Sequence, residues 1–261
     1  MSAQLAALVR GHLSDRRRSL LAWGIPLGLW SAFVVIIFPS VEGALSKAME
    51  SYPPALKEAF GIGELSSVEQ YLHAEMLSLI VPLAMGYLAV RAVSSGLSGA
   101  AESGRLDVLL SAPVSRSRIA AAGFAATGVE LAAVLVLTVA LTALGSVVSG
   151  AGLSLGAAVE GYANVWPLAL LFAALGIVAS GFSLRTSVVT GSVAGVLVTM
   201  YVIDLVGRLD TSLSGIRYAS VFKYYGNAIE EGIDPLAFAG VSIAAVALAA
   251  LGAWLFERRD I

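Results

Sequence analysis

The chain has 261 residues, of which 58% are hydrophobic and only 13% are charged, and its mean hydropathy is +0.86. Soluble domains average about 45–50% apolar and about 25% charged residues, so this composition excludes both a soluble globular protein and a disordered one. The net charge of −2 provides no basic surface for nucleic acid. Without cysteine and with two histidines, thiolate chemistry is excluded and a histidine-rich metal site is disfavoured. The composition predicts an integral membrane protein.

Six stretches are long and apolar enough to cross a bilayer, which requires about 20 residues. They are 19–38, 71–90, 119–148, 162–183, 188–207 and 236–256. Because they are apolar on all sides and do not alternate as barrel strands do, they predict helices. We therefore expect an all-α, polytopic fold in which 1–261 form a single transmembrane domain. The third stretch exceeds one span, which predicts an interfacial start or a tilted crossing, and the short 184–187 connection predicts a tight helical hairpin.

The distribution of Lys and Arg predicts the orientation, because positively charged loops stay in the cytoplasm. Eleven of the sixteen basic residues lie on the side that carries both termini, and five lie on the other side. Both termini are therefore expected in the cytoplasm. The chain is expected as a multi-pass protein of a bacterial or archaeal plasma membrane.

The segment before the first span has the pattern of an amphipathic helix. Leu5, Leu8, Val9 and Leu13 share one helical face ahead of the basic run at 16–18. This pattern predicts a short helix in the cytoplasmic interface, with its basic end at the lipid headgroups. A frayed leader without regular structure is the alternative.

The loop between the second and third spans carries a second amphipathic pattern. Ser103 is a candidate N-cap, three leucines share one face, and Pro113 ends the segment. The leucines are Leu106, Leu109 and Leu110. A short cytoplasmic helix with an exposed apolar face indicates either a protein partner or attachment to the membrane surface.

Few residues inside the spans are candidates for a functional site. Glu130 lies within the third span, where an ionisable group is costly, so we expect it either on a substrate pathway or in a helix-packing contact. Two Gly-x-x-x-Gly pairs, Gly24 with Gly28 and Gly191 with Gly195, allow close helix approach. They are candidates for contacts between two copies of the chain, with packing inside one chain as the alternative.

One motif points towards an enzyme. The run 152–156 matches the Gly-x-Ser-x-Gly pattern of serine hydrolases, with Ser154 as the candidate nucleophile. That pattern acts only on a strand–turn–helix elbow beside an oriented base. A short glycine-rich loop between two helices does not predict such an elbow, so we interpret the match as coincidental.

The segment 102–116 resembles the signature of ABC-2-type transporter permeases, the membrane subunits of ATP-driven exporters. That signature has an acidic residue, then Gly-Thr-Leu-Glu, two leucines and Pro-Val-Ser-Arg; here Arg105 and Asp107 replace the usual Thr and Glu. Three further stretches resemble the family in the same order: 52–61, 224–234 and 255–261. The similarity therefore extends along essentially the whole chain.

The resemblance implies a non-catalytic subunit that moves a hydrophobic or amphipathic substrate. ATP and Mg would be bound by a dimer of a separate ABC ATPase, and this sequence agrees because it contains no Gly-x-x-x-x-Gly-Lys-[Ser/Thr]. The chain itself would hold no cofactor, and a second permease copy, identical or a close paralogue, would complete the translocation unit. The residues implied in ATPase coupling are Glu102, Gly104, Arg105, Leu106, Leu109, Leu110, Pro113 and Arg116.

An ion-coupled secondary transporter is the alternative from another class. Such transporters place several charged or discontinuous-helix sites near the middle of the membrane. In this sequence Glu130 is nearly alone there, and no clear inverted repeat is visible.

Overall fold

The structure, a computed structural model, describes residues 16–50, 67–104 and 115–258. Its six long helical units are apolar enough to span a membrane, and they match the six stretches expected from the sequence, with 162–183 extending one residue past its helix. In the described part of the chain there are helices and no strands. The all-α, six-span prediction is confirmed. The predicted N-terminal interfacial helix, 2–14, lies outside the described residues.

The helices are named here in chain order. They are α1 Arg17–Glu50, α2 Val68–Leu72, α3 Ile80–Gly96, α4 Ser98–Glu102, α5 Arg116–Ser149, α6 Leu155–Ala163, α7 Val165–Phe182, α8 Thr186–Leu209, α9 Phe222–Tyr225, α10 Ala228–Glu231 and α11 Pro235–Glu257. A π-helical turn, His73–Leu77, joins α2 to α3, and a 3-10 segment, Thr211–Ala219, follows α8.

Local chemistry explains several of the helix ends. The side chains of Ser67, Ser154 and Asp234 accept hydrogen bonds from backbone N–H groups in the first turns of α2, α6 and α11. Gly150 ends α5 in the left-handed region at φ 67°, which glycine adopts without a steric penalty. The chain then reverses between α7 and α8 within three residues, so the predicted hairpin is confirmed.

Two spans are longer than the sequence windows. α1 continues through Pro39 to Glu50. α5 runs without a break for 34 residues, about 51 Å at 1.5 Å per residue. Its first turns are not a separate interfacial segment, because Ile119 and Ala120 are fully buried in the bundle.

α7 forms the centre of the bundle. It packs against α3, α5, α8 and α11, and two thirds of its span lies buried inside the protein. In the spans formed by α8 and α11, only about a fifth of the residues are buried inside the protein. Both helices present valine and leucine side chains outward. Lipid or another protein chain must cover those faces, because water does not reach them in a bilayer.

Small residues let α1 and α5 approach closely. A Cβ added at Gly24 or Gly28 would lie 2.8 or 2.5 Å from the side chains of Leu137 and Leu141, and one at Gly145 would lie 2.9 Å from the backbone of Ala32. The paired residues differ by 113 in number in all three cases. The two helices therefore run parallel in a constant register, as small-x-x-x-small motifs favour.

Gly252 of α11 makes the closest backbone approach to α7. A Cβ added there would lie 2.7 Å from the backbone nitrogen of Val178. We expect Gly252→Ala to force the two helices apart and to lower the free energy of unfolding by about 1–3 kcal/mol. Gly240→Ala on the same helix is the matched control, because a Cβ there meets nothing within 4 Å. Thermal unfolding of the detergent-solubilised chain measures both, and equal midpoints would contradict the packing argument.

Candidate functional site at the terminal end of the bundle

The end of the bundle where α1 begins and α11 ends is called here the terminal end. Its central feature is a buried ion pair between Arg16, just before α1, and Glu130 of α5. Arg16 Nη1 donates to Glu130 Oε2 at 3.0 Å and to Thr127 Oγ1 at 2.7 Å, and Nη2 donates to the carbonyl oxygen of Ala92 at 2.7 Å. One guanidinium thus joins the first three spans.

Both charges of this pair are buried, so each depends on the other for stabilisation. The Glu130 side chain is only 2% exposed and that of Arg16 is 12% exposed. A charge at that depth requires an opposite charge and hydrogen bonds. Glu130 Oε1 has no hydrogen-bond partner among the residues that the structure describes, so the carboxylate depends on Arg16.

These contacts place both side chains inside the bundle. Glu130 directs its charge at Arg16 and so forms a contact between helices; a place on a substrate pathway stays a prediction. The expectation that the whole basic run at 16–18 meets the lipid headgroups is wrong for Arg16, because its guanidinium is held inside the bundle. Arg17 and Arg18 are more exposed and remain consistent with it.

A second contact joins the start of the loop between the second and third spans to α8. The Glu102 carboxylate accepts a hydrogen bond from Thr186 Oγ1 at 2.6 Å and one from the Thr186 backbone N–H at 3.2 Å. Thr186 begins α8, whose first-turn N–H groups attract an anionic acceptor. One turn earlier, Ser98 Oγ donates to Ser180 Oγ of α7 at 3.1 Å.

The far end of the same loop is joined to α11. Glu257 Oε2, in the last turn of α11, accepts a hydrogen bond from the Ser117 backbone N–H at 3.1 Å in the first turn of α5. Arg258 lies over the Trp254 ring at 4.0 Å, a cation–π contact that holds the end of α11. Both flanks of the undescribed segment 105–114 are therefore attached to other spans.

The opposite end carries a separate charged cluster. Asp204 Oδ2 accepts from Arg208 Nε at 2.8 Å and Nη2 at 2.6 Å, while Oδ1 accepts from Arg217 Nε at 2.9 Å. The Asp204 side chain is only 5% exposed, although it lies near the end of α8. A Cβ at Gly207 would collide with the Arg217 side chain. The cluster fixes the 3-10 segment to α8.

A small polar cavity of about 20 Å³ adjoins this cluster. It is lined by His73, Ser78, Tyr201, Asp204, Leu205, Arg208, Phe222, Tyr225 and Gly226. Burial raises the pKa of the Tyr225 hydroxyl, and nearby Tyr162 raises it further, so this group stays protonated. A cavity of this size holds about one water molecule and is too small for an organic substrate.

At the opposite end of the bundle, Tyr162 of α6 contacts α1 and α5. Its buried hydroxyl donates to Ser31 Oγ at 2.7 Å and lies 3.5 Å from Thr142 Oγ1. The neighbouring Asn164 Nδ2 donates to the carbonyl oxygen of Tyr225 at 2.5 Å. Within the described ranges, no three His, Asp or Glu side chains gather as metal ligands would.

A family comparison covers nearly all of this architecture. The family described as the C-terminal domain of the multidrug efflux system permease Rv1217c matches residues 12–257, which include all six spans and both ends of the loop at 102–116. This chain belongs to that family. It is a multi-pass membrane permease of an efflux system. No curated protein matches the sequence.

The structure describes only part of the permease's predicted coupling segment. Glu102, Gly104 and Arg116 are described: Glu102 contacts α8, Gly104 turns the chain at φ 70°, and Arg116 begins α5. The other predicted coupling residues lie outside the described part: Arg105, Leu106, Leu109, Leu110 and Pro113.

Ser103 of the permease follows the last residue of α4, and its hydroxyl donates back to the carbonyl oxygen of Gly99 at 2.7 Å. The helix that Ser103 is expected to cap falls within 105–114, outside the described residues, so its role as an N-cap stays a prediction. A serine hydroxyl that donates to a preceding carbonyl group can still accept from a following N–H group.

The glycine pairs of the permease have different surroundings. Gly24 and Gly28 face α5 of the same chain, which is the intrachain alternative. Gly191 and Gly195 on α8 have nothing within 4 Å of an added Cβ, so their face is open in the single chain. Only the second pair remains available for a contact between copies.

The serine of the hydrolase-like motif occupies a helix cap. Ser154 Oγ accepts from the Ala157 backbone N–H at 3.4 Å, and its own backbone N–H donates to Glu69 Oε1 at 2.9 Å. A helix follows Ser154 and another helix precedes the loop. The permease therefore has a capping serine here, not the strand–turn–helix elbow of a hydrolase.

The sequence analysis identified neither the partner of Glu130 nor the arginines that pair with Asp204. The i, i+4 spacing of Asp204 and Arg208 on one helix was a readable signal for the second cluster. No such signal exists for Arg16 and Glu130, because 114 positions separate them.

Proposed function

We propose that this chain is the permease subunit of an ABC-2-type exporter, powered by a separate ATPase. The family match to a multidrug efflux permease supports an exporter. The sequence resemblance at 102–116 supports the ABC-2 type, and a chain without the Gly-Lys phosphate loop requires another chain to bind ATP and Mg. The chain itself then has no catalytic role.

One observation carries the proposal: both flanks of 105–114 contact helices that belong to different parts of the bundle. Glu102 is hydrogen-bonded to the start of α8, and Ser117 to the end of α11. A force applied to the segment between them acts on α4 and α8 at one flank and on α5 and α11 at the other. This is the mechanical requirement for a coupling helix that shifts packed spans.

The proposed unit contains two permease copies and two ATPase subunits. The open face of α8 supports a contact between copies, because Gly191 and Gly195 leave room for close approach. Exposed valines on α8 supply apolar area: Val188, Val196, Val198, Val202 and Val206. An isologous contact of this kind closes a two-fold dimer, formed by identical chains or by two close paralogues.

The cargo is proposed to be hydrophobic or amphipathic. Glu130, the ionisable group deepest in the third span, is neutralised by Arg16, so the described spans offer little charge for a hydrophilic substrate. The same pair argues against an ion-coupled secondary transporter, which places charged or discontinuous-helix sites near the midplane, because the charge of Glu130 is already taken up by Arg16.

Association with the ATPase tests the proposal. We expect Leu110→Asp to remove the ATPase chain from tagged permease purified from native membranes, because a carboxylate in the apolar face opposes docking. Ser111→Asp adds the same charge about 100° further around the predicted helix and should retain the ATPase. Mass spectrometry of the copurified chains gives the readout.

Transport in membrane vesicles completes the test. We expect uptake of a lipophilic dye into inverted vesicles to require ATP and to continue when ionophores collapse the ion gradients. Equal ATPase retention by Leu110→Asp, or uptake that follows an ion gradient without ATP, would contradict the proposed function.

A further inference from the structure

A large lateral groove lies between α7, α11 and the segment from the 3-10 turn to α9. Its volume is about 580 Å³, far larger than the polar cavity at the same end. The lining is mostly apolar: Leu171, Val221, Leu236, Ala237, Val241 and Ala244 are among its residues. Gly240 widens it, since an added Cβ there meets nothing within 4 Å.

The rim of the groove is polar and amphipathic. Tyr218, Tyr224 and Asp234 line it, and Lys223 Nζ lies 3.4 Å from the Tyr218 ring centroid and 5.8 Å from that of Tyr224. Asp234 Oδ1 accepts the N–H groups of Leu236 and Ala237 at the start of α11. The groove thus has an anion and two tyrosine rings on its lining and a cation over those rings, at the end where α11 begins, which is the level of lipid headgroups.

The depth of the groove matches one leaflet. On α11 the lining extends from Leu236 to Ala244, which lie about 12 Å apart along the helix axis. Half of the hydrocarbon core is about 15 Å. A groove that begins at the headgroup level and ends near the midplane has the dimensions of a lipid acyl chain.

We propose that this groove binds one phospholipid with a zwitterionic headgroup, from the leaflet opposite the terminal end. The acyl chain lies against the apolar wall of α7 and α11. The phosphate pairs with Lys223, whose side chain is held over the Tyr218 ring, and the ammonium group of the lipid faces the Asp234 carboxylate. A headgroup with both charges complements a rim with both charges, whereas a purely anionic headgroup also meets the Asp234 carboxylate.

The proposal extends beyond transport and does not depend on the ATPase. A second copy of the chain is the competing occupant of this face. The charge pattern favours the lipid, because the rim charges lie at the boundary level, where headgroups carry the complementary charges.

Native mass spectrometry of the full chain tests the site. The chain is released from nanodiscs that contain equal amounts of phosphatidylethanolamine and phosphatidylglycerol, and the retained lipids are counted. We expect one retained phosphatidylethanolamine in the unmodified chain and an at least fivefold lower occupancy in Gly240→Leu, whose side chain fills the groove. Ala244→Leu, a second groove-filling variant, should do the same.

Matched controls separate the groove from general effects. Ala239→Leu adds a similar volume at an exposed position on α11 that does not line the groove, and it should retain the lipid. Lys223→Gln and Asp234→Asn should each lower the occupancy; Asn preserves the helix cap, so a loss there reports the charge.

Three results would overturn the proposal. If both groove-filling variants retain as much lipid as Ala239→Leu, the lipid does not bind in the groove. If the unmodified chain retains phosphatidylglycerol as well as phosphatidylethanolamine, the site does not select a zwitterionic headgroup. Loss of a dimer in Gly240→Leu, without loss of lipid, assigns the groove to a second copy of the chain.

Discussion

Arg16→Ala is expected to lower the free energy of unfolding by about 3–5 kcal/mol, the usual cost of leaving a buried charge unpaired. The Glu130 carboxylate, which is only 2% exposed beside Arg16, would lose the cation that neutralises it. The carbonyl oxygen of Ala92 would lose its donor in the same variant. Thermal unfolding of the solubilised chain, followed by tryptophan fluorescence, measures the loss.

The neighbouring arginine provides the control. Arg17→Ala removes the same charge one residue away, from an exposed position, and should change stability by less than about 0.5 kcal/mol. Glu130→Ala should cost less than Arg16→Ala, because the longer Arg16 side chain starts near the helix end and can extend towards the interface.

A double variant tests whether the cost arises from charge. Arg16→Met with Glu130→Leu replaces both partners with apolar groups, and such replacements of buried pairs are often neutral. We expect it to recover most of the stability lost in Arg16→Ala. If the double variant is as unstable as the sum of the single ones, the ion pair is not the coupling that joins these spans.

Asp204→Asn is expected to have the second-largest effect, about 3 kcal/mol. It retains the shape of the side chain but removes the charge that Arg208 and Arg217 share. Both arginines would then repel each other at the end of α8, and the 3-10 segment would lose its attachment. Proteolysis of the solubilised chain within 211–219, together with the thermal midpoint, measures this loss.

The single arginine variants should behave differently. Arg208→Gln or Arg217→Gln leaves the carboxylate with one cationic partner, so each should cost only about 1 kcal/mol. Asp210→Asn, at an exposed cap whose carboxylate contacts Ser212, is the matched control for the loss of an acidic side chain. Equal effects of Asp204→Asn and Asp210→Asn would show that the shared carboxylate does not hold this end together.

Much of the fold followed from local composition. Each of the six windows became a spanning helix, and the 184–187 connection became a hairpin. The ends of the helices were less predictable. α1 continues through Pro39 to Glu50, because a membrane helix tolerates proline when its neighbours satisfy the freed backbone group.

The candidate site was less accessible to sequence reasoning. Glu130 was identified as costly, and the structure supplied its partner in a segment that the sequence assigned to the headgroup region. Gly24 and Gly28 were recognised as small-residue positions, but the same pattern serves contacts inside one chain and between chains. Only the placement of α5 separates these two uses.

The amino acids in order were enough to establish a six-helix membrane protein, because partitioning into hydrocarbon depends on about 20 consecutive residues at a time. Which charges meet, which glycines lie against a neighbour and where a groove remains open depend on the register of helices far apart in the chain. The Arg16–Glu130 pair, the Asp204 cluster and the lipid-sized groove between α7 and α11 therefore emerged only once the spans were packed together.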